Sequence, residues 1–144
     1  MTKSAADPVR IRRLSFARRS GFELNIPEFD LKPGESVVLT GASGSGKSTV
    51  LDLIAGVLRP RSGELALFGE DATALSSSAL DALRGAHIGL IFQEQNLLPF
   101  ASVAQNLAVA LSFSSERRGR VAASGVAAES ERLLDAMGLD PRDI

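Results

Sequence analysis

Gly41-Ala42-Ser43-Gly44-Ser45-Gly46-Lys47-Ser48 satisfies the spacing G-x-x-x-x-G-K-[ST], and each fixed residue type answers a need of polyphosphate chemistry. A chain of phosphates must be held by donors with no bulky side chain in the way. Glycines let the backbone take positive φ and approach the oxygens, so that successive N–H groups form a concave anion nest. Lys47 supplies a point charge for the β- and γ-phosphates, and the Ser48 hydroxyl is a hard ligand for a Mg2+ ion bridging them. Thr49 adds a donor for the α-phosphate. A helix beginning here would turn the positive end of its dipole toward the same anion. The candidate set is therefore Gly41 to Thr49 around a magnesium–nucleoside triphosphate, with Lys47 as the catalytic cation. Kinase, GTPase and transport ATPase all remain open at this point.

The flanking segments have the right character to position such a loop. Val37-Val38-Leu39 is a short apolar run, as expected of a strand buried on both faces of a parallel sheet. After the loop, Val50, Leu51, Leu53, Ile54, Val57 and Leu58 form a helical stripe that Arg59-Pro60-Arg61-Ser62-Gly63 stops. Upstream, Met1 to Pro8 reads as a loose tail and Val9 to Phe16 as a basic, imperfectly alternating strand with a turn at Arg18 to Gly21. Phe22, Leu24 and Ile26 alternate until Pro27 interrupts, and Phe29 and Leu31 resume before the turn Lys32-Pro33-Gly34-Glu35. This early region is expected to be antiparallel sheet.

Downstream, Leu65, Leu67 and Phe68 predict a strand closed by Gly69, Leu75 to Leu83 a short amphipathic helix, and Ile88 to Phe92 a second buried strand. Ser102 and Gln105 have the spacing of a capping box for a helix carrying Val103, Leu107 and Leu111. Ser112 to Gly125 reads as a linker. A last helix runs to about Met137, where Gly138 fits a left-handed stop and Leu139 its apolar clasp.

Composition narrows the classes. Of 144 residues, 44% are apolar and 23% charged, which is ordinary for one globular domain. Sixteen Lys and Arg against seventeen Asp and Glu leave a net charge of -1, so nucleic acid is not an expected partner. With no cysteine and one histidine there is neither a disulfide framework nor a multi-ligand transition-metal site, a composition suited to the cytosol. The N-terminus lacks the apolar core of a secretory signal, and no apolar run approaches the roughly 18 residues of a membrane span.

Taken together, GESVVLTGASGSGKSTVLDLIAGVLRPRSGELALFGED and IGLIFQEQNLLPFASVAQNL resemble the nucleotide-binding domain of ATP-binding cassette (ABC) transporters, over residues 9–144. Within that family LRGAHIGLIFQ, NLLPF and Asn106 look most like the lipoprotein-release and macrolide-export type. The resemblance implies an α/β fold: an incomplete P-loop NTPase core with an N-terminal antiparallel β region over residues 9–93, and the start of a helical subdomain over 94–144. It implies ATP and Mg2+ as ligands. Gln93 is implied to be the Q-loop residue, touching the metal and the attacking water and moving with a transmembrane subunit that docks near Gln93 to Leu111. A second nucleotide-binding domain is implied across an ATP sandwich, with the protein cytoplasmic and peripheral at the inner face of the membrane.

Two departures stand against that pattern. The family stacks adenine on an aromatic residue, and the aligned place here is Arg18, with Phe16 and Phe22 as nearby substitutes. The LSGGQ-type signature, the apolar-Asp-Glu strand and the switch histidine have no counterpart in residues 1–144. Neither Ala66-Leu67-Phe68-Gly69-Glu70-Asp71 nor Leu133-Leu134-Asp135 replaces the acidic strand, and His87 reads as a packing or surface residue. The expectation is an N-terminal portion of a transporter ATPase that binds Mg-ATP weakly and does not hydrolyse it, its phosphate-loop strand and Gln93 strand left unpaired. The alternatives are a non-hydrolysing regulatory module or another P-loop protein such as a small kinase.

Overall fold

The computed structural model describes residues 6–93, 96–112, 114–121 and 124–139. The chain forms two units, Met1–Arg84 and Gly85–Ile144.

The first unit is built on an antiparallel sheet of order β2-β1-β3-β4, from β1 (Val9–Ala17), β2 (Glu23–Leu31), β3 (Ser62–Leu67) and β4 (Glu70–Asp71). The imperfect alternation of β1 has a structural cause. Val9 and Ile11 face inward, and so do Leu14 and Phe16, which requires one extra residue between the pairs. Arg13 supplies it at φ 47°, and the register against β3 shifts between Arg12 and Ser15. The partner strands keep step with the bulge. Ile11 faces Phe29 and Leu65, while Val9 faces Leu31 and Leu67, giving cross-strand apolar layers. Pro27 does not break β2 as expected. It lies on an edge strand opposite the bulge, where no ladder hydrogen bond is required of it.

Gly63 makes the bulge possible. At φ +90° it sits so close to β1 that a Cβ would lie 2.2 Å from the Arg13 carbonyl oxygen and 2.5 Å from Leu14 Cα. Phe68 and Gly69, both at positive φ, then turn β3 into β4.

The helix after the phosphate loop, α1 (Lys47–Ile54), is shorter than its apolar stripe predicts. Gly56 at φ +68° ends it: its N–H donates to Leu53 O and the Val57 N–H to Asp52 O, the paired bonds of a Schellman stop. Leu53 and Ala55 are buried, and Leu80 of α2 (Ser77–His87) packs against Gly56. An apolar cavity of about 340 Å³ separates α1 from the sheet, lined by Ile26, Phe29, Leu31, Val37, Leu39 and Val50 among others.

The expected buried strands are not formed. Val37–Leu39 and Ile88–Phe92 pair with no strand among the described residues, and Val38 is 83% and Ile91 101% exposed. A parallel strand is stabilised by ladders on both sides and cover on both faces, and the described residues supply neither. The burial predicted for these runs is not found.

The second unit contains α3 (Val103–Ser112), α4 (Ser115–Val121) and α5 (Val126–Ala136), with α3 packed on both others. The capping box forms: Gln105 N–H donates to Ser102 Oγ at 3.2 Å and Ser102 N–H to Gln105 Oε1 at 2.8 Å. At the end of α5, Gly138 and Leu139 donate to Asp135 O and Leu134 O as the sequence predicts. The linker expectation is corrected by α4. Buried Ser114 caps it, accepting from Arg117 N–H at 3.1 Å, and Arg118 and Arg120 complement the negative end of its dipole. The tail residues 1–5 lie outside the described residues.

One ion pair gives the sheet a pH signature. Arg12 grips Asp30 with two parallel bonds of 2.7 Å, and that hydrogen bonding, with the nearby Lys32 and Arg10 charges, holds the Asp30 carboxyl below the usual aspartate range. A depressed folded-state pKa contributes stability above the unfolded-state pKa, and this is lost as pH falls through the folded value. Urea midpoints of wild type and Asp30→Asn are therefore expected to differ at neutral pH and to converge as pH falls through the lowered folded-state value of Asp30. A constant difference at all pH values would remove the pair from the stability of the sheet.

Candidate phosphate-binding site

Residues 41–46 form a turn entering α1, closed by Ser45 N–H donating to Ala42 O at 3.2 Å. Gly46 is the N-cap, left-handed at φ 98°, with no side-chain cap bond, and the first turn of α1 carries no acidic residue. The leading N–H groups of the helix are therefore not satisfied by a capping side chain, and no carboxylate opposes an anion there. Gly46 is also closely covered by a side chain. A Cβ would lie 2.7 Å from Phe22 Cζ, because the tip of the β1–β2 hairpin is seated on the loop.

The Lys47 ammonium donates to Gly41 O at 2.8 Å and Ala42 O at 2.7 Å, bridging the first two residues of the loop. An ammonium has three donors, so one N–H remains for a ligand oxygen. Ser48 is exposed, and Thr49 is buried with its hydroxyl 3.4 Å from an Arg18 guanidinium nitrogen. Gly41 to Thr49 are thus gathered on one turn and the start of one helix in the first unit. Gln93 belongs to the second unit, where it is exposed; Glu94 and Gln95 after it lie outside the described residues.

The structure also brings out a residue whose role the sequence reading did not assign. The Asn106 amide staples the loop before α3: its Oδ1 accepts from Leu98 N–H at 2.7 Å, and its Nδ2 donates to the carbonyls of Leu98, Ala101 and Ser102 at 3.1 to 3.2 Å. Leu97 and Phe100 stay exposed on the stapled loop, Phe100 by 85%. The signal was available, since an amide four residues after a helix-capping serine is placed to reach back over the turn.

No group of three or more His, Asp or Glu among the described residues forms a metal cage. No helix among them is long and apolar enough to cross a membrane.

A glycine turn of this kind entering a helix, on an α/β scaffold, is the arrangement of P-loop nucleotide-binding proteins, and the comparisons place the chain within that class. Residues 24–143 match the ABC transporter family. The chain belongs to that family. It is 38% identical over 120 residues to the macrolide export ATP-binding/permease protein MacB of Sodalis glossinidius, covering 81% of this chain and 17% of that protein. It is 33% identical over 119 residues to the lipoprotein-releasing system ATP-binding protein LolD of Chromohalobacter salexigens, covering 83% and 48%. In structure it is similar to the ATP-binding cassette MJ0796, solved as a dimer in a post-hydrolysis state with ADP and Pi, with a TM-score of 0.70 and 28% identity over 93% of this chain and 59% of that one. The chain therefore spans about half of LolD and about a sixth of MacB. Family membership sets aside the small-kinase alternative, and the macrolide-export and lipoprotein-release likeness read from LRGAHIGLIFQ is found among the relatives.

Proposed function

We propose that these residues form the phosphate-binding portion of a transporter ATPase cassette, with Gly41 to Thr49 holding the triphosphate of Mg-ATP. The observation that carries this reading is the Lys47 bridge to Gly41 O and Ala42 O beside a helix start without a capping side chain or acid. It shapes the turn around one cation and leaves the leading amides for anionic oxygens. Mg2+ fits this donor set: it retains several waters and takes few protein ligands besides phosphates, and Ser48 offers the single hydroxyl such a site uses. Bound there, the ion would neutralise phosphate charge.

In this reading Lys47 would balance charge on the terminal phosphates, Thr49 would close the α-phosphate end, and Gln93 keeps the Q-loop role that the family resemblance implies. The likeness to MacB, whose name joins ATP-binding to permease, and to a cassette solved as a dimer supports a membrane-spanning partner and a second cassette. The exposed Leu97 and Phe100 on the Asn106-stapled loop lie within the segment proposed to meet the membrane subunit, at the inner face of the membrane.

Phosphoryl transfer to water further requires a carboxylate that orients the water, and residues 1–144 contain no apolar-Asp-Glu strand to provide it. Calorimetric titration of the 144-residue chain with Mg-ATP is expected to show weak saturable binding, with phosphate release no faster than the background. Absence of binding at millimolar nucleotide would overturn the cassette reading of the loop. Steady-state turnover would overturn the expectation that these residues bind the nucleotide without hydrolysing it.

A further inference from the structure

The second unit holds a groove of about 560 Å³ in which the phosphate loop has no part. Its walls are apolar: Leu107 and Leu111 from α3, Val121 from α4, and Val126 and Leu133 from α5. Val126, Ser130 and Leu133 follow one row of α5, so the lining runs about 10 Å along that helix. The titratable side chains among its lining are mostly basic. Arg117, Arg120 and His87 stand against the carboxylate of Glu129. That carboxylate is already met, since Arg132 donates to both of its oxygens at 2.5 and 2.9 Å.

Arg117 has no such match. It is half-buried, its guanidinium donates to Ile88 O at 2.9 Å, and no ion pair engages it among the described residues. A carbonyl oxygen occupies one of its five N–H donors and neutralises none of its charge. Buried Ser130 lines the same groove, and its hydroxyl bonds to no described residue. Partial burial of a cation with spare donors carries a desolvation cost that an anion would offset.

We propose that this groove binds a monoanionic amphiphile, a medium-chain fatty acid, with its carboxylate on Arg117 and its alkyl chain against α3 and α5. A guanidinium and a carboxylate match in two parallel hydrogen bonds, as Arg12 and Asp30 do in the sheet of this chain. The volume falls in the range of about 300 to 1,000 Å³ typical of small-molecule sites. A neutral hydrocarbon would leave Arg117 unmatched, and a cationic one would meet like charge. The site is separate from the nucleotide reading, and neither depends on the other.

Calorimetric titration of the 144-residue chain with octanoate, decanoate, decanol and decyltrimethylammonium, each kept below its aggregation limit, tests this in wild type, Arg117→Ala and Arg117→Lys. Wild type is expected to bind decanoate at least about tenfold more tightly than decanol or decyltrimethylammonium. It is expected to prefer decanoate to octanoate by about tenfold, because two further methylenes are buried. Arg117→Ala is expected to lose about 10- to 100-fold for decanoate with decanol unchanged, and Arg117→Lys, which keeps the charge, to stay within about fivefold of wild type. Equal affinity of wild type for the three decyl compounds would reduce the binding to unselective apolar contact and overturn the proposal. So would undiminished decanoate binding by Arg117→Ala, which would put the carboxylate elsewhere. An Arg117→Lys chain as weak as Arg117→Ala would make the residue a strut for Ile88 rather than an anion contact, with the same result. If circular dichroism shows Arg117→Ala unfolded, the wild-type selectivity and the lysine variant decide.

Discussion

Lys47→Ala is expected to abolish saturable Mg-ATP binding, lowering affinity at least about 100-fold, equivalent to about 2.7 kcal/mol. Two losses combine. The ammonium is the cation bonded to the turn itself, and a hydrogen bond from a charged donor to a phosphate is worth about 1.5 to 3 kcal/mol. The same group also bridges Gly41 O and Ala42 O, so removing it releases the turn whose amides form the nest. The fold is expected to survive, because both carbonyls are exposed and water can replace the ammonium. Titration calorimetry of the variant, with a urea curve to confirm folding, checks both halves. Undiminished binding by a folded Lys47→Ala chain would remove the turn from nucleotide recognition.

Gly63→Ala is expected to give the largest loss of stability, above about 3 kcal/mol out of a native margin of about 5 to 15 kcal/mol. The new methyl would meet the Arg13 carbonyl carbon and oxygen and Leu14 Cα, all backbone atoms of the adjacent strand, and φ +90° disfavours any L side chain. Neither neighbour yields by a rotamer change, so the bulge must open and the two strands separate. Gly34→Ala is the control. Its φ is +77° but nothing lies within 4 Å of the added carbon, so only the backbone term of about 1 to 2 kcal/mol applies. Equal urea midpoints for the two variants would show that the close approach of β3 to the Arg13 bulge is not a constraint on folding.

How far the sequence was legible depended on whether a signal was local. The glycine and lysine spacing of the phosphate loop, the Ser102–Gln105 box and the Gly138–Leu139 stop are rules closing within a few residues, and the last two form as read. The same stop operates at Gly56, where the apolar stripe running on to Leu58 outweighed it in the sequence reading. Gly119 and the polar run around it concealed α4, whose decisive feature is a serine cap seen only once Ser114 is buried. The Arg13 bulge was visible only as faulty alternation, because it depends on Gly63, which is remote in the chain. Val37–Leu39 and Ile88–Phe92 show the limit most plainly: apolar runs report a preference for being covered, while cover itself must come from other chain. Within the site, types and spacing indicated Gly41 to Thr49, whereas the seating of Phe22 on Gly46 needed the folded hairpin.

The solvent-facing apolar runs carry a consequence for the isolated 144-residue chain in solution. Exposed apolar positions such as Val38 and Ile91 favour self-association as concentration rises, so light scattering that climbs steeply with protein concentration, and falls on Val38→Ser or Ile91→Ser, is the expected signature.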